Sequence, residues 1–160
     1  MAGQVRVAVA RRSARAILID DQACLVLIRR TRPEVPVYWT TAGGGVEDDD
    51  VSVEAAMRRE ILEEVGATAA GASQVFLVSS RAESGVKIQY FFVARLASLD
   101  PGLRNGPEFG DPTRGRYDVD KVTLTDDGSA LLAIELRPPE LKAFILANRD
   151  ALLAEAGFTV

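Results

Sequence analysis

Three glutamates, Glu60, Glu63 and Glu64, follow Arg59 in the run REILEEVG at residues 59–66. On an α-helix successive side chains are rotated by about 100°, so these three carboxylates fall within an arc of roughly 100°, as neighbours at i+3 and i+4. Each like-charged i,i+4 contact costs an isolated helix about 0.2–0.5 kcal/mol, and carboxylates gathered without a counter-charge repel one another. Hard divalent cations such as Mg²⁺ and Mn²⁺ take oxygen ligands. A divalent metal site is the simplest account of the patch.

The surroundings sharpen it. Met57, Ile61 and Val65 lie within about 140° of Glu60 on the same helix, so the acidic arc abuts the apolar stripe and belongs at the edge of a cleft. Arg59 stands beside Glu60 and four residues before Glu63, where a guanidinium orients one carboxylate while others face an ion. Upstream, Gly43, Gly44 and Gly45 read as a glycine-rich turn whose backbone is free to approach a metal or a phosphate, and Gly66 supplies a helix stop. An isolated Glu-Glu pair on an amphipathic helix is most often a solvated face. The coincidence of the glycine triplet, the Arg-Glu pair, the Glu-Glu pair and the closing glycine is what separates this segment from that reading.

The chain has 160 residues, 48% of them hydrophobic, and is read as one domain over residues 1–160. A net charge of −4 argues against broad nucleic-acid binding, which needs clustered Lys and Arg. No run of some 18 apolar residues and no secretory signal is seen, so no membrane association is expected and cytoplasmic residence is the default. The single cysteine, Cys24, sits in the apolar run ACLVLI and reads as a core residue. The chain contains no histidine, which removes Ser-His-Asp and Cys-His nucleophilic catalysis and the usual histidine-bound zinc sites. Glycoside hydrolysis sets two carboxylates across a substrate, whereas these share one helical face; the pattern favours metal-assisted phosphate chemistry.

The elements that must position these residues read as follows. Residues 15–20 and 24–30 form a β-hairpin about Asp20, Asp21 and Gln22, after a strand at about 5–10. Residues 39–42 run extended into the glycine turn, and a helix over 52–65 follows with Ser52 as N-cap. Two further strands, 74–80 and 87–96, are joined by a turn around Ser84 and Gly85. Residues 98–116 form the longest irregular stretch, 117–124 a strand, and 139–156 one C-terminal amphipathic helix. Trp39, Tyr90, Phe91, Phe92 and Phe109 are candidates for base stacking, although strand aromatics more often fill cores.

The segment 43–67 closely resembles the Nudix box, written in that family as G-x5-E-x7-R-E-U-x-E-E-x-G-U, with U a bulky aliphatic residue. The core at 59–66 matches position by position. Three positions depart: Val51 stands where the first glutamate belongs, with Asp50 one residue earlier substituting after a one-residue insertion; Ala42 replaces the frequent proline before the glycines; and Ala67 is smaller than the usual last aliphatic residue. The resemblance implies a Nudix-like α/β/α sandwich with a mixed β-sheet, within the α/β class. It implies hydrolysis of a nucleoside diphosphate linked to another group, with Mg²⁺ or Mn²⁺ as cofactor and a small nucleotide-type molecule as substrate. Glu63 and Glu64 match the metal-coordinating pair, Glu60 a ligand or general base, Arg59 the residue orienting them, and Gly44 the glycine whose carbonyl completes the metal shell. Members commonly recruit a further acid from outside the box; Glu108 is the first candidate and Glu83 the second. Among Arg29, Arg30, Arg32, Arg81 and Lys87, strand alternation sends Arg29 and Arg30 to opposite faces, so at most one of that pair faces the cleft; Arg30 and Arg81 are taken as the phosphate-binding candidates. A catalytically silent nucleotide-sensing or protein-interaction module is the alternative, and pairing into a homodimer is left open.

Overall fold

The computed structural model describes residues 7–105 and 112–159. Strand β1 (Val9–Ile19) and strand β2 (Cys24–Arg32) form the first hairpin, with Leu18 opposite Val26 and Ile19 opposite Leu25. Its turn is fixed by Asp20: one carboxylate oxygen accepts the N–H groups of Gln22 and Cys24, each at 2.9 Å, and the other lies 2.9 Å from Lys121 Nζ. The separate strand expected at 5–10 is not a strand of its own; from Val9 onward it is the start of β1, and residues 1–6 lie outside the described residues.

Strand β3 (Val35–Gly45) corrects a second expectation. The three glycines do not form a turn. They continue β3, which leaves β2 at Thr41 and crosses to β1, setting Gly43 opposite Arg15, Gly44 opposite Ala14 and Gly45 opposite Ser13. Helix α1 (Val53–Val65) then starts where Ser52 Oγ accepts the N–H of Ala55 at 3.0 Å, and ends at Gly66, whose N–H bonds back to Ile61 and Leu62. Strands β4 (Ala67–Ala82) and β5 (Gly85–Leu99) form a long hairpin, and β5 runs parallel to β1 along most of its length. Strand β6 (Arg116–Thr123) pairs with β2, and a two-residue strand, β7 (Leu136–Arg137), pairs in parallel with β3. The mixed sheet has the order β4-β5-β1-β2-β3-β7, with β6 attached to β2.

Three short helices follow: α2 (Ser129–Leu132), α3 (Pro139–Ala147) and α4 (Arg149–Glu155). The single helix expected over 139–156 is broken at Asn148, whose backbone leaves the helical region at φ −123° and ψ 22°. Its side-chain amide donates to Phe144 O at 2.9 Å, the local competition with the helical ladder that makes Asn a helix terminator.

The period of two in β1 sorts the core into two layers. Ala14, Ala16 and Leu18 join Met57, Ile61 and Val65 of α1 on one face of the sheet. Ile17 and Ile19 join Phe91 and Leu141, Ile145, Leu152 and Leu153 of α3 and α4 on the other. Burying each such aliphatic side chain contributes about 1.5–3 kcal/mol, and helices on both faces give the mixed-sheet α/β/α sandwich. Phe91 and Phe92 are core residues and Trp39 is packed against the core with its indole N–H on Asp120 at 2.8 Å, so these rings fill the interior. Phe109 lies outside the described residues.

Candidate active site

Helix α1 docks on the glycine end of β3, and this docking sets the acidic patch. Gly44 faces α1, and the Glu60 carboxylate occupies the space where a side chain at position 44 would stand: a Cβ there would overlap Glu60 Oε2 and Cδ. Glu64 is tied to the same strand, its Oε2 accepting the N–H of Gly43 at 2.8 Å.

Arg59 holds the rest. Its guanidinium donates to both oxygens of Asp50, at 3.0 Å and 2.8 Å, to Glu60 Oε1 at 2.8 Å, to Glu63 Oε2 at 3.4 Å and to the Gly45 carbonyl at 3.0 Å. Glu47 stands 3.8 Å away. One guanidinium therefore faces four carboxylates, with Glu64 as a fifth on the same helix, tied to β3 through Gly43. The forked pairing holds Asp50 well below the usual carboxylate range, at about 2, helped by the Glu47 N–H. Reciprocally, Arg59 is held above its usual value, first by Asp50 and then by Glu60, against the effect of burial. Val51, in register with the missing box glutamate, is 93% exposed and touches none of this; Asp50, with its side chain 7% exposed, makes the fork to Arg59.

The donor set suits a hard cation. Its side-chain donors are carboxylates, it carries more negative charge than Arg59 balances, and the Glu60 carboxylate fits over Gly44 only because that residue has no Cβ. Among the described residues no three His, Cys, Asp or Glu side chains converge on one point. The carboxylates are instead tethered individually, to Arg59 or to Gly43.

The segment after β5 closes the C-terminal end of α1. Arg104 donates to the Glu64 carbonyl at 2.9 Å and to the Tyr117 carbonyl at 2.7 Å, and the Asn105 N–H donates to the Glu63 carbonyl at 3.0 Å. Sequence reasoning missed Arg104 because its work is done on backbone carbonyls of α1 and β6. Glu108 lies outside the described residues. Arg30 is on the α1 face of the sheet, as alternation requires, but its guanidinium lies 3.5 Å from the Tyr117 ring centroid and donates to the Arg114 carbonyl at 2.6 Å. Arg81 is not brought to the patch. It is exposed, opposite Val86, four residues before Tyr90, which shares a row with Ala14 and Gly44; at about 3.3 Å per residue the separation along the strand is roughly 13 Å. Glu83 lies in the turn of the same hairpin.

The arginine the structure does bring close is Arg15, which sequence reasoning passed over as part of a hairpin. It lies opposite Gly43, and Glu64 and Glu60 act on its charge. The available signal was alternation: Arg15 shares a strand face with Ile17 and Ile19, where a charge is out of place unless it has work to do.

A curled mixed sheet between helices, with a carboxylate-bearing helix seated on a glycine strand, defines a Nudix-type α/β/α protein. The chain belongs to the Nudix family, whose NUDIX domain matches residues 9–131, and it is an enzyme of the pyrophosphohydrolase type. An ADP compounds hydrolase has the same fold with a TM-score of 0.67 at 22% identity, covering 92% of this chain and 75% of that one. A MutT Nudix hydrolase from Burkholderia pseudomallei matches with a TM-score of 0.57 at 24% identity, over 86% of this chain and 95% of that one. The Nudix domain of Shewanella oneidensis NrtR, solved with ADP-ribose, matches with a TM-score of 0.61 at 20% identity, over 87% and 86%. No curated protein matches the chain in sequence. Among the described residues no helix is long and apolar enough to cross a membrane.

Proposed function

We propose that this protein, acting as one Nudix domain, hydrolyses the diphosphate linkage of a nucleoside diphosphate joined to another group, in a reaction that depends on Mg²⁺ or Mn²⁺. The observation that carries this reading is the Arg59 fork, which fixes Asp50, Glu60 and Glu63 at the glycine end of β3 beside Glu64. In this reading Glu60, Glu63, Glu64 and the Gly44 carbonyl hold the ion. A bound divalent cation supplies stabilisation of the charge that develops on phosphate oxygens and lowers the pKa of water. Arg59 sets the orientation of its carboxylates, and Asp50 anchors Arg59 in place of the box glutamate that Val51 cannot supply. Proton acceptance from water falls to Glu60 or to a loop acid, with Glu108 the candidate. We take the cytoplasm, with its free nucleotides, as the place of action.

The test is release of phosphate or nucleoside monophosphate from a panel of nucleoside triphosphates, ADP-ribose, nucleotide sugars and dinucleoside polyphosphates, with Mg²⁺ or Mn²⁺, by wild type and Glu64→Gln. Turnover that the variant loses supports the reading. Metal-dependent nucleotide binding without turnover of any panel member would replace it with the sensing module.

A further inference from the structure

On the α3 side of the sheet lies a pocket of about 440 Å³, whose lining includes Arg15, Gln89, Glu135, Arg137, Leu136 and Pro138. Two of its charges balance each other: Arg137 stands 3.4 Å from Glu135, with its guanidinium over the Tyr38 ring at 4.0 Å. Arg15 has no such carboxylate partner within ion-pair distance among the described residues. Its Nε donates to Gln89 Oε1 at 3.1 Å and its Nη1 to the Thr41 carbonyl at 2.9 Å, both neutral acceptors. These two bonds lock the plane of the guanidinium, and Nη2 has no hydrogen-bond partner among the described residues. Burial pushes the Arg15 guanidinium down from its ordinary value, Glu64 and Glu60 pull it back up, and Arg11 adds a like charge. A fixed guanidinium with one edge unused, walled by Leu136 and Pro138, is built to receive an anion, because Arg recognises phosphate and carboxylate oxygens through such edges.

Its place in the sheet says which anion. Arg15 lies directly opposite Gly43, and the N–H of Gly43 holds Glu64. The pocket therefore adjoins the carboxylate patch across a single strand that carries no side chain at Gly43. We propose that Arg15, positioned by Gln89, binds a phosphate of the nucleotide-type substrate in this pocket, next to the linkage that is cleaved. The proposal rests on the hydrolase reading for the identity of the anion, and its test is separable from that reading because binding is measured without metal and without turnover.

The experiment titrates inorganic phosphate and AMP into the full chain in EDTA by calorimetry, comparing wild type, Arg15→Gln, Arg15→Lys, Gln89→Ala and Glu64→Gln. Arg15→Gln is expected to bind at least about tenfold more weakly, the loss that follows from removing a charged hydrogen-bonding partner, with Arg15→Lys and Gln89→Ala between it and wild type. Glu64→Gln is expected to bind no more weakly than wild type, since it removes a negative charge near the anion, whatever it does to turnover. With the substrate that the panel identifies, Arg15→Gln raises KM at least about tenfold and changes kcat less. Should Arg15→Gln fail to fold, the wild-type Arg15 Nε–Hε NMR signal decides, shifting saturably as phosphate is added. Binding by folded Arg15→Gln within twofold of wild type, or an unmoved Arg15 signal, overturns the proposal. Loss of turnover in Glu64→Gln with unchanged phosphate binding leaves it standing.

Discussion

Gly44→Ala separates the positioning of Glu60 from the stability of the fold. No left-handed φ is required of Gly44, so the strand accepts alanine, and the atoms an added Cβ meets belong to the far end of a flexible side chain: Glu60 Cδ, Oε2 and, at 2.8 Å, Oε1. Ordinary contact starts at 3.4 Å, so even the most distant of these must retreat by about 0.6 Å and the nearer ones by about 1 Å. A misplacement of about 1 Å at a catalytic group costs on the order of 10²-fold, or about 2.7 kcal/mol of transition-state stabilisation. The variant should therefore melt within about 2 °C of wild type, because the added methyl at half-buried Gly44 meets the end of the Glu60 side chain and not the core, while kcat falls on the order of 10²-fold with the panel's best substrate. Gly43→Ala is the control. Its φ is +154°, and its Cβ would meet backbone, the Ala14 carbonyl and Arg15 Cα, so it should lose about 2–4 kcal/mol and melt roughly 5–15 °C lower. A Gly44→Ala enzyme with wild-type kcat refutes the claim that the seat of Glu60 matters. An unfolded one refutes the claim that Gly44 serves the carboxylate and not the backbone.

Three further outcomes follow from the same geometry. Asp50 is held at about 2 by Arg59, below the usual value of about 3.9, so its contribution to stability is complete above about pH 4 and is lost as pH falls towards 2; melting curves of wild type and Asp50→Asn should differ by a constant amount above pH 4 and converge below it. Arg104→Ala removes two bonds from a charged donor to the Glu64 and Tyr117 carbonyls and should cost about 1–3 kcal/mol in urea unfolding. EDTA should abolish turnover and added Mn²⁺ or Mg²⁺ restore it; turnover that persists in EDTA contradicts the assignment of Glu60, Glu63 and Glu64 to an ion.

The box at 59–66 was legible because its constraints are local: one helix, one cap at Ser52 and one stop at Gly66 place the three carboxylates on one face whatever the rest of the chain does. The sandwich was legible through the resemblance of residues 43–67 to the Nudix box, with which the alternating apolar runs and two amphipathic stretches agree. What escaped depends on non-local pairing. Three consecutive glycines carry no hydrophobic period, so their place in β3 is set by pairing with Ser13, Ala14 and Arg15 of a strand far upstream. The break at Asn148 is invisible to periodicity because Leu141 and Ile145 before it and Leu152 and Leu153 after it face the same core. β7 is only two residues long and exists because β3 offers it an edge. Among the cations, Arg81 flanks a hairpin whose tip lies away from the patch, whereas the register of β1 with β3 sets Arg15 opposite Gly43.

The central claim is that the patch seated on Gly43 and Gly44 directs water to phosphorus, and the most direct test is hydrolysis of the panel's best substrate in ¹⁸O-labelled water with Mg²⁺ or Mn²⁺, read by ³¹P NMR. The account predicts one ¹⁸O in a phosphate product formed by wild type, and no product formed by Glu64→Gln. Label that appears on carbon, or equal turnover by the variant, would contradict it.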